Sequence, residues 1–411
     1  MDIPADSSQW RELLGSKNWE GLLDPLDLDL RKLILRCGDL CQVTYDTFIN
    51  DQNSKYCGCS RYGKSSLLRR VCFPNASDYE VVAFLYATAR VSVPEALLLK
   101  SQSREMWDRE SNWIGYIAVT SDDVSSTLGH RQIYVAWRGT TRNYEWIDIL
   151  GAEPESISPL LSGYYGEDKD DNDRVPKVMR GWLTMYISDD PKSPFTKLSA
   201  RAQLLRKIEQ LIDKYKDEEL SISFTGHSLG ASLSVLSALD VAENLSREIP
   251  VTAFVFGCPK VGNKPFNNRV NSHPNLKVLH IRNVIDVIPH YPSRLIGYVY
   301  TGTELEIDTR KSPHLKDSKN PSDWHNLQAM LHTVNGWAGA AEGAEFKEKI
   351  KRSLALVNKS CDFLKEECLV PGSWWIEKNK GMILKEDGEW VMSEPDEGDL
   401  PVPEFDGDGD D

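Results

Sequence analysis

The chain has 411 residues, of which 40% are hydrophobic and 9% aromatic, so it can bury a large core. Its formal net charge of -14 disfavours nucleic acids and anionic membranes as electrostatic partners. No apolar run approaches the ~18 residues that span a bilayer, and the N-terminus lacks the basic start and apolar stretch of a secretory signal. We therefore expect a soluble, cytoplasmic protein without a transmembrane segment.

The predicted elements of the first half are helices followed by strands. Helical periodicity dominates residues 1–45, and two β-rich runs follow at 111–122 and 130–140. A strongly amphipathic helix at 199–219 then precedes a short apolar strand, LSISFTGH, at 220–227.

The second half continues this alternation. A helix begins at Leu229, and two more apolar strands follow at 251–262 and 276–283. Strands and helices that alternate at this spacing predict a mainly parallel sheet in a three-layer α/β fold. Residues 335–360 are predicted to be helical.

The C-terminal part has two distinct compositions. Residues 374–392 resemble a β-hairpin appendix with Asp387-Gly388 at its turn. Residues 394–411 carry nine acids and no base, which is typical of a disordered, solvated tail. We assign residues 1–393 to a single domain and 394–411 to an acidic tail.

The eight cysteines show no metal-binding pattern. Cys57 and Cys59 have no second pair at zinc spacing, and Cys361 and Cys368 lie seven residues apart in a helix-like stretch. Ordinary thiols are the preferred interpretation, with a metal site or a disulfide as the alternatives. We expect no metal.

The segment Gly226-His227-Ser228-Leu229-Gly230 matches the G-x-S-x-G turn that exposes a nucleophilic serine between a strand and a helix. Side chains at the two glycines would collide with the neighbouring strand and helix. The helix from Leu229 directs its first amides and positive dipole end at an oxyanion beside Ser228. His227 would lie beneath the nucleophile in a structural role. The alternative is a glycine-rich packing turn with an incidental serine.

A nucleophilic serine needs a base, which an acid holds in place, and after this turn the chain order is serine, acid, histidine. Asp286 follows the strand at 276–283, so it lies in a loop at the same sheet edge as Ser228. Its alternative role is to cap that strand. The rival acids are Asp240, Asp308, Asp317 and Asp323.

Four histidines follow Asp286, and His325 is the preferred base because it begins a helical segment where a loop can present it. His290 is only four residues from Asp286, too close to return on another loop. His314 lies in an unanchored loop, and His332 lies two turns deeper in the helix, where it supports packing.

The second oxyanion donor should come from the turn after an earlier strand. Arg138-Gly139-Thr140 follows such a strand, so the amide of Thr140, with or without its hydroxyl, is the candidate. The amide of Leu229 is the first donor.

Four segments together resemble the class 3 (fungal-type) lipases: VAWRGT, TGHSLGA, NVIDVIPHYP and WHNLQAMLHTV. The closer resemblance is to the plant class II phospholipase A1 group, and it extends to LDLRKLILRCGDLCQVTYDTF, GCPKVGN and NKGMILKEDGEW. It covers residues 10–392 and leaves the acidic tail unexplained.

The resemblance implies an α/β-hydrolase fold and a cytosolic enzyme that releases the sn-1 acyl chain of glycerolipids without a cofactor. Position by position, it implies Ser228 as nucleophile, Asp286 and His325 as its partners, and Thr140 and Leu229 as oxyanion donors. The expected substrate is a phospholipid or another acyl glycerolipid, met transiently at a lipid surface. The alternatives are hydrolysis of diacylglycerol, triacylglycerol or galactolipid, and a lipase-like scaffold without hydrolysis.

The resemblance also implies a lid at about 141–165. Its apolar face is expected to cover the serine in water and to turn outward on lipid. The alternative is a helix docked permanently on the core. No cluster of arginine or lysine flanks the motifs, so the sequence indicates no phosphate clamp. The apolar face comprises Trp146, Ile147, Ile149 and Leu150.

Overall fold

A computed structural model describes most of the chain. The described residues are 9–88, 111–140, 152–161, 174–245, 248–339, 341, 344–375, 382–392 and 396–403.

Strands are numbered in chain order within these ranges. They are β1 Tyr79–Ala87, β2 Asn112–Thr120, β3 Arg131–Trp137, β4 Pro154–Ser156, β5 Lys177–Met179, β6 Leu220–His227, β7 Val251–Phe256, β8 Gly262–Asn263, β9 Leu276–Asn283, β10 Tyr298–Val299, β11 Thr303–Ile307, β12 Met382–Leu384 and β13 Trp390–Met392.

The α-helices of the described residues are numbered in the same way. They are α1 Trp10–Leu13, α2 Leu28–Thr47, α3 Leu67–Arg70, α4 Asp122–Leu128, α5 Arg180–Ile187, α6 Ala200–Lys214, α7 Leu229–Asn244, α8 Lys264–Ser272, α9 Pro321–Trp324 and α10 Leu327–Gly336.

The main sheet has seven strands in the order β1-β2-β3-β6-β7-β9-β11. The pairs β1–β2 and β2–β3 are antiparallel, whereas β3–β6, β6–β7, β7–β9 and β9–β11 are parallel. The prediction of a mainly parallel central sheet is therefore confirmed. Because β6, β7 and β9 run side by side in the same direction, the loops that follow them meet at one edge of the sheet.

Helices cover both faces of this sheet, as the predicted three-layer α/β fold requires. Alternate residues of β3 point to opposite sides. Ile133 and Val135 pack in one hydrophobic cluster with α5, α6 and α7. Tyr134 and Ala136 pack in a second cluster with α2 and α10. The long N-terminal helix α2 is thus part of the core.

Two smaller sheets complete the fold. One has the strand order β10-β8-β5-β4, and the other is the predicted C-terminal hairpin of β12 and β13. Gly388 at the hairpin turn has a φ of 89°, which explains why glycine suits this position.

The prediction of a helix over residues 335–360 was wrong for most of that range. Helix α10 ends at Gly336, and among the described residues from 337 to 360 the only helical segment is a 3₁₀ helix at Leu354–Lys359. The side-chain amide of Asn335 exchanges two hydrogen bonds with the backbone of Ile350, which lies in this range. The asparagine side chain therefore satisfies backbone groups that a helix would have satisfied internally.

Part of the acidic C-terminal segment is docked rather than solvated. A 3₁₀ turn at Glu397–Asp399 places the carboxylate of Asp399 against the N-terminal region. Oδ1 of Asp399 accepts hydrogen bonds from the Gly63 amide at 2.8 Å and from the Ser66 hydroxyl at 2.7 Å. The expectation of a solvated tail therefore does not hold for this turn, because two hydrogen-bond donors bind the carboxylate of Asp399. Residues 404–411 lie outside the described part of the chain.

Replacing Asp399 by alanine should lower the free energy of unfolding by about 2 kcal/mol, because two buried donors lose their acceptor. Urea denaturation followed by tryptophan fluorescence measures this. Glu397→Ala, an exposed change in the same turn, is the matched control and should be neutral. Equal stability of the two variants would contradict the docked arrangement.

Candidate active site

The glycine-flanked serine lies at a sharp turn between the central strand and a helix. Strand β6 ends at His227, helix α7 begins at Leu229, and Ser228 between them has φ 59° and ψ -126°. This combination of a positive φ with a strongly negative ψ is strained for a residue with a side chain. It projects Ser228 beyond the carboxyl edge of the sheet, as the sequence motif predicts.

The two glycines of the turn are explained by close backbone contacts. A Cβ atom on Gly226 would overlap with the carbonyl of Gly230 across the turn. A Cβ atom on Gly230 would overlap with the carbonyl of Trp137 at the end of β3. These contacts are the strand and helix collisions expected from the sequence.

The start of α7 leaves backbone donors next to Ser228. The amide of Ser228 itself is occupied, since it donates to the Phe256 carbonyl at 3.0 Å. The amide of Leu229 opens a helix of 16 residues, and the first amides of a helix have no partner within it. The positive end of the helix dipole lies at the same point. An anion beside Ser228 would therefore be stabilised there.

Asp286 and His325 are in contact although 39 residues separate them. Nδ1 of His325 lies 2.5 Å from Oδ2 of Asp286, and both residues are buried. The second carboxylate oxygen of Asp286 accepts the amide of Ile288 at 2.9 Å. Asn283, the last residue of β9, donates to the carbonyl of Trp324 at 2.8 Å. That bond holds the histidine loop against the end of the strand that precedes Asp286.

The imidazole of His325 lies next to the serine turn. The rings of His227 and His325 have centroids 4.3 Å apart. Nε2 of His227 lies 2.8 Å from the backbone oxygen of His325. The structure thus brings Asp286 and His325 together beside the residue that precedes Ser228.

Four of the rival acids and histidines have other partners. Asp240 binds Arg201 and Tyr186, and Asp308 binds Arg310. His332 bonds to the Ser312 hydroxyl at 2.8 Å, in agreement with the predicted packing role. The ring of His290 bonds to Tyr300 at 2.7 Å rather than to Asp286.

Gly257 is a residue of this site that sequence reasoning missed. It follows β7 with a φ of 54°. A Cβ atom there would lie 2.7 Å from Cε1 of His325 and 3.1 Å from Oδ2 of Asp286. A side chain would therefore displace the hydrogen-bonded pair. The sequence signal that could have identified Gly257 is its position directly after an apolar strand. The segment that contains it, GCPKVGN, was used only for the family resemblance.

Tyr45 was also missed, because it lies in the N-terminal helix α2, 182 residues away from the serine turn. Its hydroxyl lies 2.8 Å from Nδ1 of His227. Since the His325 carbonyl can only accept, Nε2 of His227 carries the proton and Nδ1 accepts from Tyr45. Burial lowers the pKa of His227 well below its usual value, and the nearby His325 lowers it further, so the ring is neutral. A chain of hydrogen bonds runs from Tyr45 through His227 to the backbone of His325.

The Arg138-Gly139-Thr140 turn packs against the serine turn. A Cβ atom on Gly139 would lie 2.6 Å from the backbone oxygen of His227. The guanidinium of Arg138 is buried, with Nε donating to the Trp113 carbonyl at 3.1 Å, and burial lowers the pKa of Arg138 to about 10. Thr140 therefore directly follows a residue that packs against the serine turn, and its amide remains a predicted oxyanion donor.

The predicted lid residues Trp146, Ile147, Ile149 and Leu150 lie outside the described part of the chain. The lid therefore stays a prediction. Within the described residues, no helix has the length and apolar character needed to cross a bilayer. The same residues contain no group of three or more His, Cys, Asp or Glu that could hold a metal ion.

The chain is similar to known lipases in sequence and in fold. The family model described as Lipase (class 3) matches residues 134–295. A solved lipase from Yarrowia lipolytica is 20% identical, with a TM-score of 0.43 over 69% of this chain and 81% of that one. At this score the likeness carries no argument about function.

Curated relatives are much closer. Phospholipase A1-IIdelta of Arabidopsis thaliana is 63% identical over 97% of this chain and 99% of its own length. Phospholipase A1-II 5 of Oryza sativa subsp. japonica is 50% identical over 98% of this chain and 86% of its own length. Since identity of this level extends over nearly the whole of both chains, the protein belongs to the phospholipase A1-II family of class 3 lipases.

Proposed function

We propose that this protein is a phospholipase A1, a serine acylhydrolase that releases the sn-1 acyl chain of phospholipids. The observation that carries this proposal is the 2.5 Å contact between Asp286 and His325 beside the strained turn at Ser228. A carboxylate, an imidazole and a serine hydroxyl arranged in this way catalyse acyl transfer in serine hydrolases. The names of the curated relatives support the choice of phospholipid.

In the proposed mechanism, Ser228 attacks the carbonyl carbon of the sn-1 ester while Nε2 of His325 accepts its proton. Asp286 accepts the hydrogen bond from Nδ1, which fixes the tautomer and stabilises the imidazolium that forms. The amides of Leu229 and Thr140 donate to the oxyanion.

Collapse of this intermediate expels the lysophospholipid, which takes the proton from His325 and leaves an acyl group on Ser228. His325 then activates a water molecule, whose attack releases the fatty acid and restores the serine. No step uses a cofactor.

Phosphatidylcholine labelled separately on its two acyl chains tests this function. We expect release of the sn-1 label by the protein, and a loss of at least about 10³-fold in Ser228→Ala. Release of the sn-2 label alone would refute the sn-1 assignment. A folded protein that releases neither label would be the lipase-like scaffold.

Gly257→Ala should lower kcat by roughly 10²-fold, because the new methyl group displaces the Asp286–His325 pair. Gly388→Ala is the matched control, since Gly388 also has a positive φ but has no atom within 4 Å of its would-be Cβ. Like Gly257→Ala, this control places a side chain at a positive φ, but it should leave kcat unchanged. Similar kcat values for the two variants, measured per folded molecule, would count against the role of this pair.

Tyr45→Phe should lower kcat about fivefold with KM unchanged, because His227 loses the hydrogen bond that orients its contact with the His325 backbone. Tyr116→Phe removes another buried hydroxyl, which donates to the Leu40 carbonyl at 2.8 Å. The control should lose comparable stability without a change in kcat. If both variants lose only stability, Tyr45 has no positioning role.

A further inference from the structure

A cavity of about 680 Å³ lies beside the loop that carries Asp286. Val287 and His290, which follow Asp286 in the chain, form part of its wall. This volume is within the range of ligand-binding pockets. The cavity is therefore large enough for a lipid headgroup and shares a loop with the candidate active site.

Three cationic side chains from separate segments meet in this cavity. Lys260 follows β7, Arg282 lies on β9, and Arg294 begins a 3₁₀ helix. All three surround the ring of Tyr300: Nζ of Lys260 lies 4.9 Å, Cζ of Arg282 5.6 Å and Cζ of Arg294 4.8 Å from its centroid. We call Lys260, Arg282, Arg294 and Tyr300 the cationic pocket.

The positive charge of the cationic pocket is only partly balanced. Arg282 pairs with Glu304 and Glu306. Lys260 donates to the backbone carbonyls of His290 and Pro292, which are neutral acceptors. Among the described residues, neither Lys260 nor Arg294 forms an ion pair with a carboxylate. Two positive charges therefore lack an anionic partner within the described protein.

The pKa of Lys260 reflects the same excess of positive charge. Burial, together with the smaller effect of the positive charge of Arg294, lowers the pKa of Lys260 to about 8. Burial and the neighbouring cations also lower the pKa of His290, so its ring is neutral at pH 7 and adds no charge of its own. An anion placed between Lys260 and Arg294 would relieve this repulsion.

Three exposed apolar side chains belong to the wall of the cavity or directly follow it in the chain, and we call them the rim: Val287 is part of the wall, and Leu295 and Ile296 follow Arg294 in its 3₁₀ helix. Leu295 is 97% exposed, Ile296 54% and Val287 46%. A group of exposed apolar side chains next to cations suits a surface that meets lipid, where apolar side chains enter the acyl region and cations stay at the headgroups. This rim favours a phosphate that is part of a lipid over a phosphate free in solution.

We propose that the cationic pocket binds the phosphate group of a phospholipid while the rim contacts the lipid surface. The proposal rests on the proposed function and identifies the part of the protein that recognises the headgroup. Lys260 and Arg294 donate charge-assisted hydrogen bonds to the phosphodiester oxygens. Arg282, already paired, contributes to the local field.

Kinetics of Arg294→Gln test the proposal. The substrates are phosphatidylcholine and a diacylglycerol with the same acyl chains, in micelles of an uncharged detergent. The variant should lose about tenfold in kcat/KM on phosphatidylcholine and little on diacylglycerol, because only the former has a phosphate. Arg69→Gln, an equal change of charge at another exposed arginine, should leave both rates unchanged. An equal loss on both substrates, or no loss, would overturn the proposal.

Binding measurements separate failure of this site from failure of the proposed function. Flotation of Ser228→Ala with phosphatidylcholine vesicles, compared with digalactosyldiacylglycerol vesicles, needs no catalysis. Adding Arg294→Gln should weaken binding to phosphatidylcholine about tenfold, whereas adding Arg69→Gln should not. Absence of this difference would refute the pocket even if the enzyme hydrolyses phospholipid. A pocket-dependent preference would support it even if no acyl chain is released.

A third measurement distinguishes a phospholipid from free phosphate as the ligand of the cationic pocket. Calorimetric titration with inorganic phosphate at constant ionic strength should show no binding that depends on Arg294. Binding of inorganic phosphate that Arg294→Gln abolishes, without a preference for phosphatidylcholine vesicles, would make this a site for a soluble anion and would overturn the lipid assignment.

Discussion

The hydrogen bond between Asp286 and His325 is the contact on which the rest of the candidate active site depends. It joins two loops that follow different elements, and each loop is anchored separately. The amide of Ile288 binds the second oxygen of Asp286, and Asn283 holds the loop before His325. Gly257 contributes by having no side chain, since any Cβ would occupy the space of this pair. The chemistry of the site thus depends on the relative positions of three segments at one sheet edge: the loop of Asp286, the loop of His325 and the turn at Gly257.

A second set of contacts extends the site into the N-terminal helix. Tyr45 of α2 bonds to His227, which in turn bonds to the backbone of His325. The same helix packs on the sheet, where its Cys37 carbonyl accepts the hydroxyl of Thr225 at 2.9 Å. Helix α2 therefore acts as a support for the histidine loop as well as a layer of the core. This arrangement gives a physical reason why the family resemblance begins so far ahead of the serine turn.

We propose that the loop after Asp286 connects hydrolysis to the lipid surface. Its first residues form the wall of the cationic pocket, and its exposed rim residues, Leu295 and Ile296, follow within ten positions. In the proposed arrangement, a single loop holds the acid, receives the headgroup and meets the lipid. The protein carries a large negative net charge, so a local cluster of cations, rather than its overall field, would recognise a phosphate.

The sequence alone determined the features that depend on residues close together in the chain. The serine turn and its glycines follow from local steric constraints, and the alternation of strands and helices follows from hydrophobic periodicity. The order of serine, acid and histidine along the chain also indicates Asp286 and His325 as the partners of Ser228. Only the tertiary structure decided the rest. Gly257, Tyr45, the cationic pocket and the docking of Asp399 each depend on which distant segments become neighbours. Such proximity is set by the packing of the whole sheet, so no local pattern of residues encodes it.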